Sequence, residues 1–203
     1  MDLFSTQTLV KESNNLLPKD GEVIYYANCF NLAQSERLFE ALNTQIEWQQ
    51  DTIKIYGKGH LIPRLNAWYG DAGKTYAYSG LHLEPHSWTA ELLEIKASIE
   101  ALSGASFNSV LLNLYRNGNH SMGWHSDDER ELGKNPIIAS VNFGATRSFH
   151  LRHKQEKSRI KLDLYNGSML LMKGQTQHHW QHQVPKTKKP LGPRINLTFR
   201  TVK

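Results

Sequence analysis

The sequence predicts a mainly β chain with flanking helices, an α+β domain built on a jelly-roll barrel, and three observations carry that prediction. Short strand-like segments crowd the chain after Phe107, turn residues separate several of them, and two stretches of helical period precede them. Hydrophobic residues make up 39% and charged residues 21% of the 203 positions, enough for one core without disulfide or metal staples.

The elements follow in order. The opening "MDLFSTQTLVKESNNLLPKDG" has neither a basic start with an apolar core nor an Arg-rich amphipathic pattern, so it reads as a loosely held tail rather than a targeting signal. "GEVIYYANCF" reads as a strand, and Leu38, Phe39 and Leu42 sit at helical spacing behind Asn31 as cap. Between Ile46 and Gly80 strand-prone segments alternate with the turn signals Gly57-Lys58-Gly59, Pro63 and Gly70-Asp71-Ala72-Gly73-Lys74, which predicts hairpins and loops in an aromatic-rich stretch. Trp88, Leu92, Ile95, Ile99 and Leu102 repeat at helical spacing, with Ser87 as cap and Gly104 as stop. Strands are then expected at Val110 to Tyr115, Ile137 to Phe143, Ser148 to Arg152, Ile160 to Leu164, Ser168 to Met172, His179 to Val184 and Arg194 to Thr201, with Asn117-Gly118 and Asn166-Gly167 as turns.

Composition bounds the function classes. Cys29 is the one cysteine, which excludes an internal disulfide or a thiolate zinc cluster and fits a reducing cytoplasm, or the nucleus in a eukaryotic cell. No apolar run is long enough to span a bilayer, so no membrane partner is expected. A formal charge of +5 and a pI near 9.2 allow a polyanionic partner without demanding one.

The chemistry-bearing pattern is His125-Ser126-Asp127. Two imidazoles and one carboxylate form the facial set that holds non-haem Fe(II) and leaves its other side open for a cosubstrate and O2, and "QHHWQHQVP" offers His178, His179 and His182 as the second imidazole. On a strand His178, Trp180 and His182 would share one face. The plain alternative is a satisfied surface pair at His125 and Asp127 with solvated later histidines. In "PRINLTFR", Arg194 and Arg200 alternate with Ile195, Leu197 and Phe199 and share a face with Asn196 and Thr198; their Cα atoms lie on the order of 20 Å apart at strand rise. Two long guanidiniums leaning inward would leave room for a small dicarboxylate, whereas on the plain reading both pair with the acids of "DDERE" at the surface.

From Tyr56 onward the chain resembles the AlkB family of Fe(II)- and 2-oxoglutarate-dependent dioxygenases, in particular its eukaryotic-type nucleic-acid repair branch. The segments "IPR", "YGDAGKTYAYSG", "NLYRNG", "WHSDDERELG", "PIIASVNFGATRSF", "HHWQHQVPK" and "PRINLTFRTV" carry the resemblance in order. It implies a double-stranded β-helix in which His125, Asp127 and His182 hold iron, with His178 and His179 as neighbours. It implies that Arg194 meets the distal carboxylate of 2-oxoglutarate and Arg200 the end near the metal, assisted by Asn113, Tyr115 and Asn196. Residues 21–203 then form a single dioxygenase domain behind a flexible tail over 1–20, with a nucleotide-recognition lid over about 46–80 and a jelly-roll core over about 107–203.

The implied activity is oxidative demethylation of N1-methyladenine or N3-methylcytosine with O2 and 2-oxoglutarate, yielding succinate, CO2, formaldehyde and the repaired base. The implied partner is alkylated DNA, single- or double-stranded, or RNA, met by a monomer. Such an enzyme must flip its base out of a duplex. The resemblance places Tyr78 on the flipped base and Tyr76 beside it, Asp128 and Glu129 near the base edge, Tyr56 as a wedge, and Lys58 and Arg64 at the backbone or the vacated space. Packing of the tyrosines against the barrel is the plain alternative for each. Two rival readings stay open: a dioxygenase of the same fold acting on protein, lipid or a small molecule, and a non-catalytic nucleic-acid-binding module with a His-rich structural zinc site.

Overall fold

A six-stranded antiparallel sheet is covered on one face by two helices and on the other by a four-stranded sheet. The computed structural model describes residues 14–55, 58–73, 76–78 and 81–203. In chain order the elements begin β1 (Glu22–Tyr26), α1 (Leu32–Gln45), β2 (Thr52–Ile55), β3 (Lys58–Leu61), β4 (Leu65–Gly70), β5 (Tyr76–Tyr78), β6 (Leu81–Leu83) and α2 (Ala90–Ser103). The barrel strands follow as β7 (Ser109–Tyr115), β8 (Met122–His125), β9 (Ile138–Gly144), β10 (Arg147–His153), β11 (Arg159–Leu164) and β12 (Ser168–Lys173). A helical turn α3 (Thr176–His179), β13 (Trp180–Val184) and β14 (Arg194–Arg200) complete the chain.

The larger sheet runs β1-β12-β9-β14-β7-β4 and the smaller β11-β10-β13-β8. From β7 to β14 the chain therefore crosses repeatedly between the two sheets, the winding of a jelly-roll barrel. β2 with β3 and β5 with β6 form two separate hairpins, in the stretch where the turn signals predict them. Among the described residues no helix is long and apolar enough to cross a membrane.

Two apolar layers lie on either side of the larger sheet. Leu38 and Leu42 of α1 and Leu92, Ile95 and Ile99 of α2 pack onto Val141, Leu197 and Phe199 on its outer face. Val23, Ile138, Leu170 and Met172 on its inner face meet Phe149, Leu151 and Trp180 of the smaller sheet. β14 is buried along its whole length, so the polar face of "RINLTFR" does not meet solvent; it points between the sheets. That is the first structural sign of an internal polar site, because burying such a row is costly unless it is paired or bound.

α1 begins as predicted: Asn31 accepts from the Gln34 N–H at 2.9 Å while the Gln34 side chain accepts from the Asn31 N–H at 3.0 Å, a complete capping box. α2 starts later than expected. Its cap is Thr89, whose hydroxyl accepts from the Leu92 N–H at 3.3 Å, not Ser87. The preceding residues are held extended: His86 donates its N–H to the Trp68 carbonyl at 2.9 Å, and Trp88 donates to Asp71 at 2.8 Å while stacking on Phe199. Gly104 stops the helix in the left-handed region, as its place in the sequence predicts.

Other expectations shift. Residues of the expected tail are fixed from Asn15 on: its side-chain oxygen accepts the N–H groups of Leu17 and Val23 at 3.0 and 2.8 Å, Leu17 is buried, and the Lys19 carbonyl accepts from Trp180 at 3.2 Å. His178 and His179 belong to the turn α3 instead of a strand, and β13 begins at Trp180. Asn117-Gly118 forms the expected turn, which carries the chain from one sheet into the other. Gly167 has a φ of +75° and would drive a Cβ to 2.5 Å from the Phe30 carbonyl oxygen, so the turn before β12 requires glycine where it locks onto the start of α1.

Replacing Thr89 by Ala is expected to lower the unfolding free energy by about 1 kcal/mol, with Ser87→Ala below about 0.5 kcal/mol. Urea titrations of both variants check this, and equal losses would refute the cap. Cys29 is half-buried and burial pushes its thiol pKa up to about 12. Native protein at neutral pH should therefore resist thiol reagents that label it at once in denaturant.

Candidate metal centre

His125 ends β8, and His182 is its direct register partner on β13. Their ring centroids lie 4.2 Å apart at an interplanar angle of 61°. Asp127 sits two residues past the end of β8, and one ligand atom from each of His125, Asp127 and His182 lies within 4.8 Å of the other two. The Asp127 carboxylate thus reaches the centre from a loop, while both imidazoles are carried by strands. That loop is locked by its neighbours, the Asp127 N–H donating to Gln177 Oε1 at 2.9 Å and the Ser126 hydroxyl to the Trp180 carbonyl at 2.9 Å. Gln177, buried on α3, was invisible to motif reasoning because it carries no charge and its partner lies 50 residues away.

The protonation states suit a cation. His125 Nδ1 lies 2.9 Å from the Gly123 carbonyl, which can only accept, so Nδ1 is the donor and Nε2 is the nitrogen left to meet a metal. Burial pushes His182 down to about 3, with His125 and Arg200 acting in the same direction and Asp127 against them, so the ring is a neutral ligand at physiological pH. Burial pushes the Asp127 carboxyl up, but Arg200, His182 and His125 outweigh it and hold the group below its ordinary range. The Arg200 Nη2 donates to Asp127 Oδ1 at 2.6 Å, and His182 Nε2 lies 3.8 Å from Asp127 Oδ2. One carboxylate and two imidazoles leave room for further ligands; among the described residues this cluster has no fourth His, Cys, Asp or Glu to close a structural zinc shell.

A cavity extends from the triad along the polar face of β14, lined by Asn113, Tyr115, Arg194, Asn196 and Arg200. Register explains the convergence: Asn66 of β4, Asn113 of β7, Asn196 of β14 and Asn142 of β9 are successive cross-strand partners, forming one row of amides across the larger sheet. Arg194 lies at the far end, its guanidinium carbon 5.0 Å from the Tyr115 ring centroid. Burial pushes Arg194 down to about 10, Tyr115 opposing and Arg147 reinforcing, so it stays cationic at neutral pH. Its Nη2 donates to Asn142 Oδ1 at 2.5 Å, while Nε and Nη1 are buried with no protein partner. A buried cation with two unanswered donors fits an anion presenting two oxygens, which a carboxylate does. Triad and slot together therefore fit Fe(II) and a dicarboxylate chelating it.

The other sequence candidates are dispersed. Arg64 is buried and donates from Nε to Asn113 Oδ1 at 2.6 Å, turned toward the slot instead of outward. Asp128 is exposed and paired with Lys154 at 3.2 Å. Glu129 precedes a single 3-10 turn over Arg130–Leu132, and its Oε2 is buried without a partner. Tyr56 and the side chains of Lys58, Tyr76 and Tyr78 lie outside the described residues. Of the competing histidines, His178 is exposed and His179 stacks on His153 beside Asp20. His153 Nδ1 accepts the N–H groups of Gln155 and Glu156 at 3.3 and 3.1 Å, which puts its proton on Nε2, facing Asp20 at 3.2 Å. That tautomer has no lone pair left for a metal, so this second cluster is a hydrogen-bonded anchor for the segment before β1.

Comparison with known proteins agrees with the geometry. Residues 22–200 match the family model of the 2OG-Fe(II) oxygenase superfamily. The chain is 40% identical over 188 residues to DNA oxidative demethylase ALKBH2 of Homo sapiens, covering 87% of this chain and 72% of that one. It is 45% identical over 181 residues to alpha-ketoglutarate-dependent dioxygenase alkB homolog 3 of Bos taurus, covering 85% and 63%. Among solved structures, OsALKBH1 superposes with a TM-score of 0.63 at 20% identity over 88% of this chain and 97% of that one, a likeness of fold. The chain therefore belongs to the AlkB family of Fe(II)- and 2-oxoglutarate-dependent dioxygenases, within the 2OG-Fe(II) oxygenase superfamily.

Proposed function

We propose that this chain is an oxidative demethylase that directly repairs N-alkylated bases in DNA. The observation that carries the reading is the pairing of a two-histidine, one-carboxylate ligand triad with a buried Arg194 whose Nε and Nη1 have no protein partner. The similarity to ALKBH2, a DNA oxidative demethylase, supports the substrate class. When bound, Fe(II) with 2-oxoglutarate and O2 supplies an oxidation that hydroxylates the methyl carbon, the cosubstrate leaving as succinate and CO2. The hydroxymethyl group then leaves the base nitrogen as formaldehyde.

The chain's own residues bind, orient and shield. His125, Asp127 and His182 hold the iron, and Arg200 keeps Asp127 ionised and aimed at it. Arg194 clamps the distal carboxylate over the Tyr115 ring, with Asn113 and Asn196 along the slot. Phe149 and Val184 supply apolar wall to a cavity whose polar groups are buried, and low polarity around them strengthens each polar contact. No protein nucleophile is required.

On the substrate side, Tyr78 stacks on the flipped base opposite His125 and Tyr76 offers its hydroxyl, with Tyr56 filling the vacated stack and Lys58 flanking it. Glu129 follows a metal ligand on the same loop, and a carboxylate there would favour cationic N1-methyladenine and N3-methylcytosine over neutral lesions, whereas Asp128 turns outward to Lys154 and braces the loop. A cationic base would also answer the buried Glu129 Oε2.

Incubating N1-methyladenine or N3-methylcytosine oligonucleotides with the protein, Fe(II), 2-oxoglutarate and air should release formaldehyde in step with succinate. Single-stranded DNA, duplex DNA and RNA of one sequence rank the polymers. Succinate without formaldehyde on all three, with a small molecule or peptide driving turnover instead, would refute the substrate class. Asp127→Ala is expected to weaken iron binding by more than about 100-fold and abolish turnover. Full activity in that variant at limiting iron would remove the ligand assignment.

A further inference from the structure

Asn142, on β9, lies outside the ligand and cosubstrate residues that the motifs single out, yet its side chain accepts from the Arg194 guanidinium. It is buried, and its amide is oriented by five groups from four residues. Nδ2 faces the Ser140 carbonyl at 3.2 Å and both the carbonyl and hydroxyl of Ser168 at 3.4 Å. The Ser168 hydroxyl proton is used on the Tyr165 carbonyl at 2.6 Å, so its oxygen accepts. Oδ1 in turn accepts from Arg194 Nη2 and, at 3.3 Å, from Asn196 Nδ2. Swapping oxygen and nitrogen would set donor against donor on one side and acceptor against acceptor on the other, so the carbonyl oxygen must face the arginine.

The neutrality of this acceptor matters as much as its place. Among the described residues no carboxylate lies within salt-bridge distance of Arg194, and Arg147, a like charge, flanks the same Tyr115 ring. An Asp at position 142 would occupy nearly the same volume and close an internal ion pair, leaving the cosubstrate's distal carboxylate to compete with it. An amide holds one nitrogen of the guanidinium and leaves its charge uncompensated.

We infer that Asn142 is a positioning residue for the cosubstrate: it fixes the Arg194 guanidinium by one neutral hydrogen bond, so that Nε and Nη1 and the full positive charge face the slot and select a dicarboxylate over a monocarboxylate 2-oxo acid. This rests on the reading of Arg194 as the partner of the distal carboxylate.

Calorimetric titration of the Mn(II)-loaded full chain tests it without turnover, using 2-oxoglutarate and, as the probe lacking a distal carboxylate, pyruvate. Asn142→Ala is expected to weaken 2-oxoglutarate about 10-fold and Asn142→Asp about 30-fold or more, with pyruvate changed less than about twofold. Parallel loss of both ligands, as a merely structural role would give, overturns the inference, and so does unchanged 2-oxoglutarate affinity while Arg194→Ala loses it. Unchanged 2-oxoglutarate affinity in Arg194→Ala removes the underlying reading of the slot instead. If Asn142→Asp does not fold, Asn142→Ala decides by the same criteria.

Discussion

The ion pair between Arg200 and Asp127 holds the site to the fold. Arg200 is the last residue of β14 in the larger sheet, and Asp127 lies in the loop leaving β8 of the smaller one. Their 2.6 Å contact therefore ties the two layers of the barrel together where the metal would sit. Both side chains are buried, so neither charge has water to fall back on, and removing one partner from such a pair typically costs about 3–5 kcal/mol. The same contact keeps the carboxylate ionised in surroundings that would otherwise favour its protonation. Structural registration of the sheets and chemical readiness of the ligand are thus one interaction.

The rest of the barrel isolates that interaction from solvent. α1 and α2 cover the outer face of the larger sheet, and the smaller sheet closes over the inner face. Between the layers the amide row Asn66, Asn113, Asn196 and Asn142 crosses four strands, its members hydrogen-bonded to Asp51, Arg64, Ser140 and Arg194 among others. A row of neutral dipoles tolerates burial because each finds a partner in the next strand or an adjacent loop. Arg194 is the exception, with two donors unanswered by protein. Its burial is tolerable in a slot made for an anion and hard to explain otherwise.

Much of this was legible in the sequence because it follows from periodicity and charge. The strand alternation of "PRINLTFR" correctly put Arg194, Asn196 and Arg200 on one face, and the structure brings His125, Asp127 and His182 to one place. The errors fall where tertiary contacts override local signals. Ser87 looks as good a cap as Thr89 until Trp88 is seen stacked on Phe199 and hydrogen-bonded to Asp71. His178 and His179 look like strand residues until the turn α3, pinned by Thr176 to the Lys173 and Glu22 carbonyls, bends them away. Gln177 and Asn142 escaped notice because uncharged amides leave no motif; their meaning arises from partners 50 and 52 residues away.

The run from His125 to Glu129 shows how five adjacent residues take different work from one loop. His125 stays on β8 with its tautomer set by Gly123, Ser126 latches onto the Trp180 carbonyl, and Asp127 turns inward to Arg200. Asp128 turns outward to Lys154, and that lysine also donates to the Gln177 carbonyl at 2.9 Å, bracing the residue that holds the Asp127 N–H. The loop is thereby fixed at both its buried and exposed sides, so Glu129 inherits its position from the metal ligand two residues before it. On the proposed reading, an acid that reads a cationic base and a ligand that holds the iron must keep a constant separation. Placing both on one braced stretch of backbone achieves that without relying on the relative position of two elements.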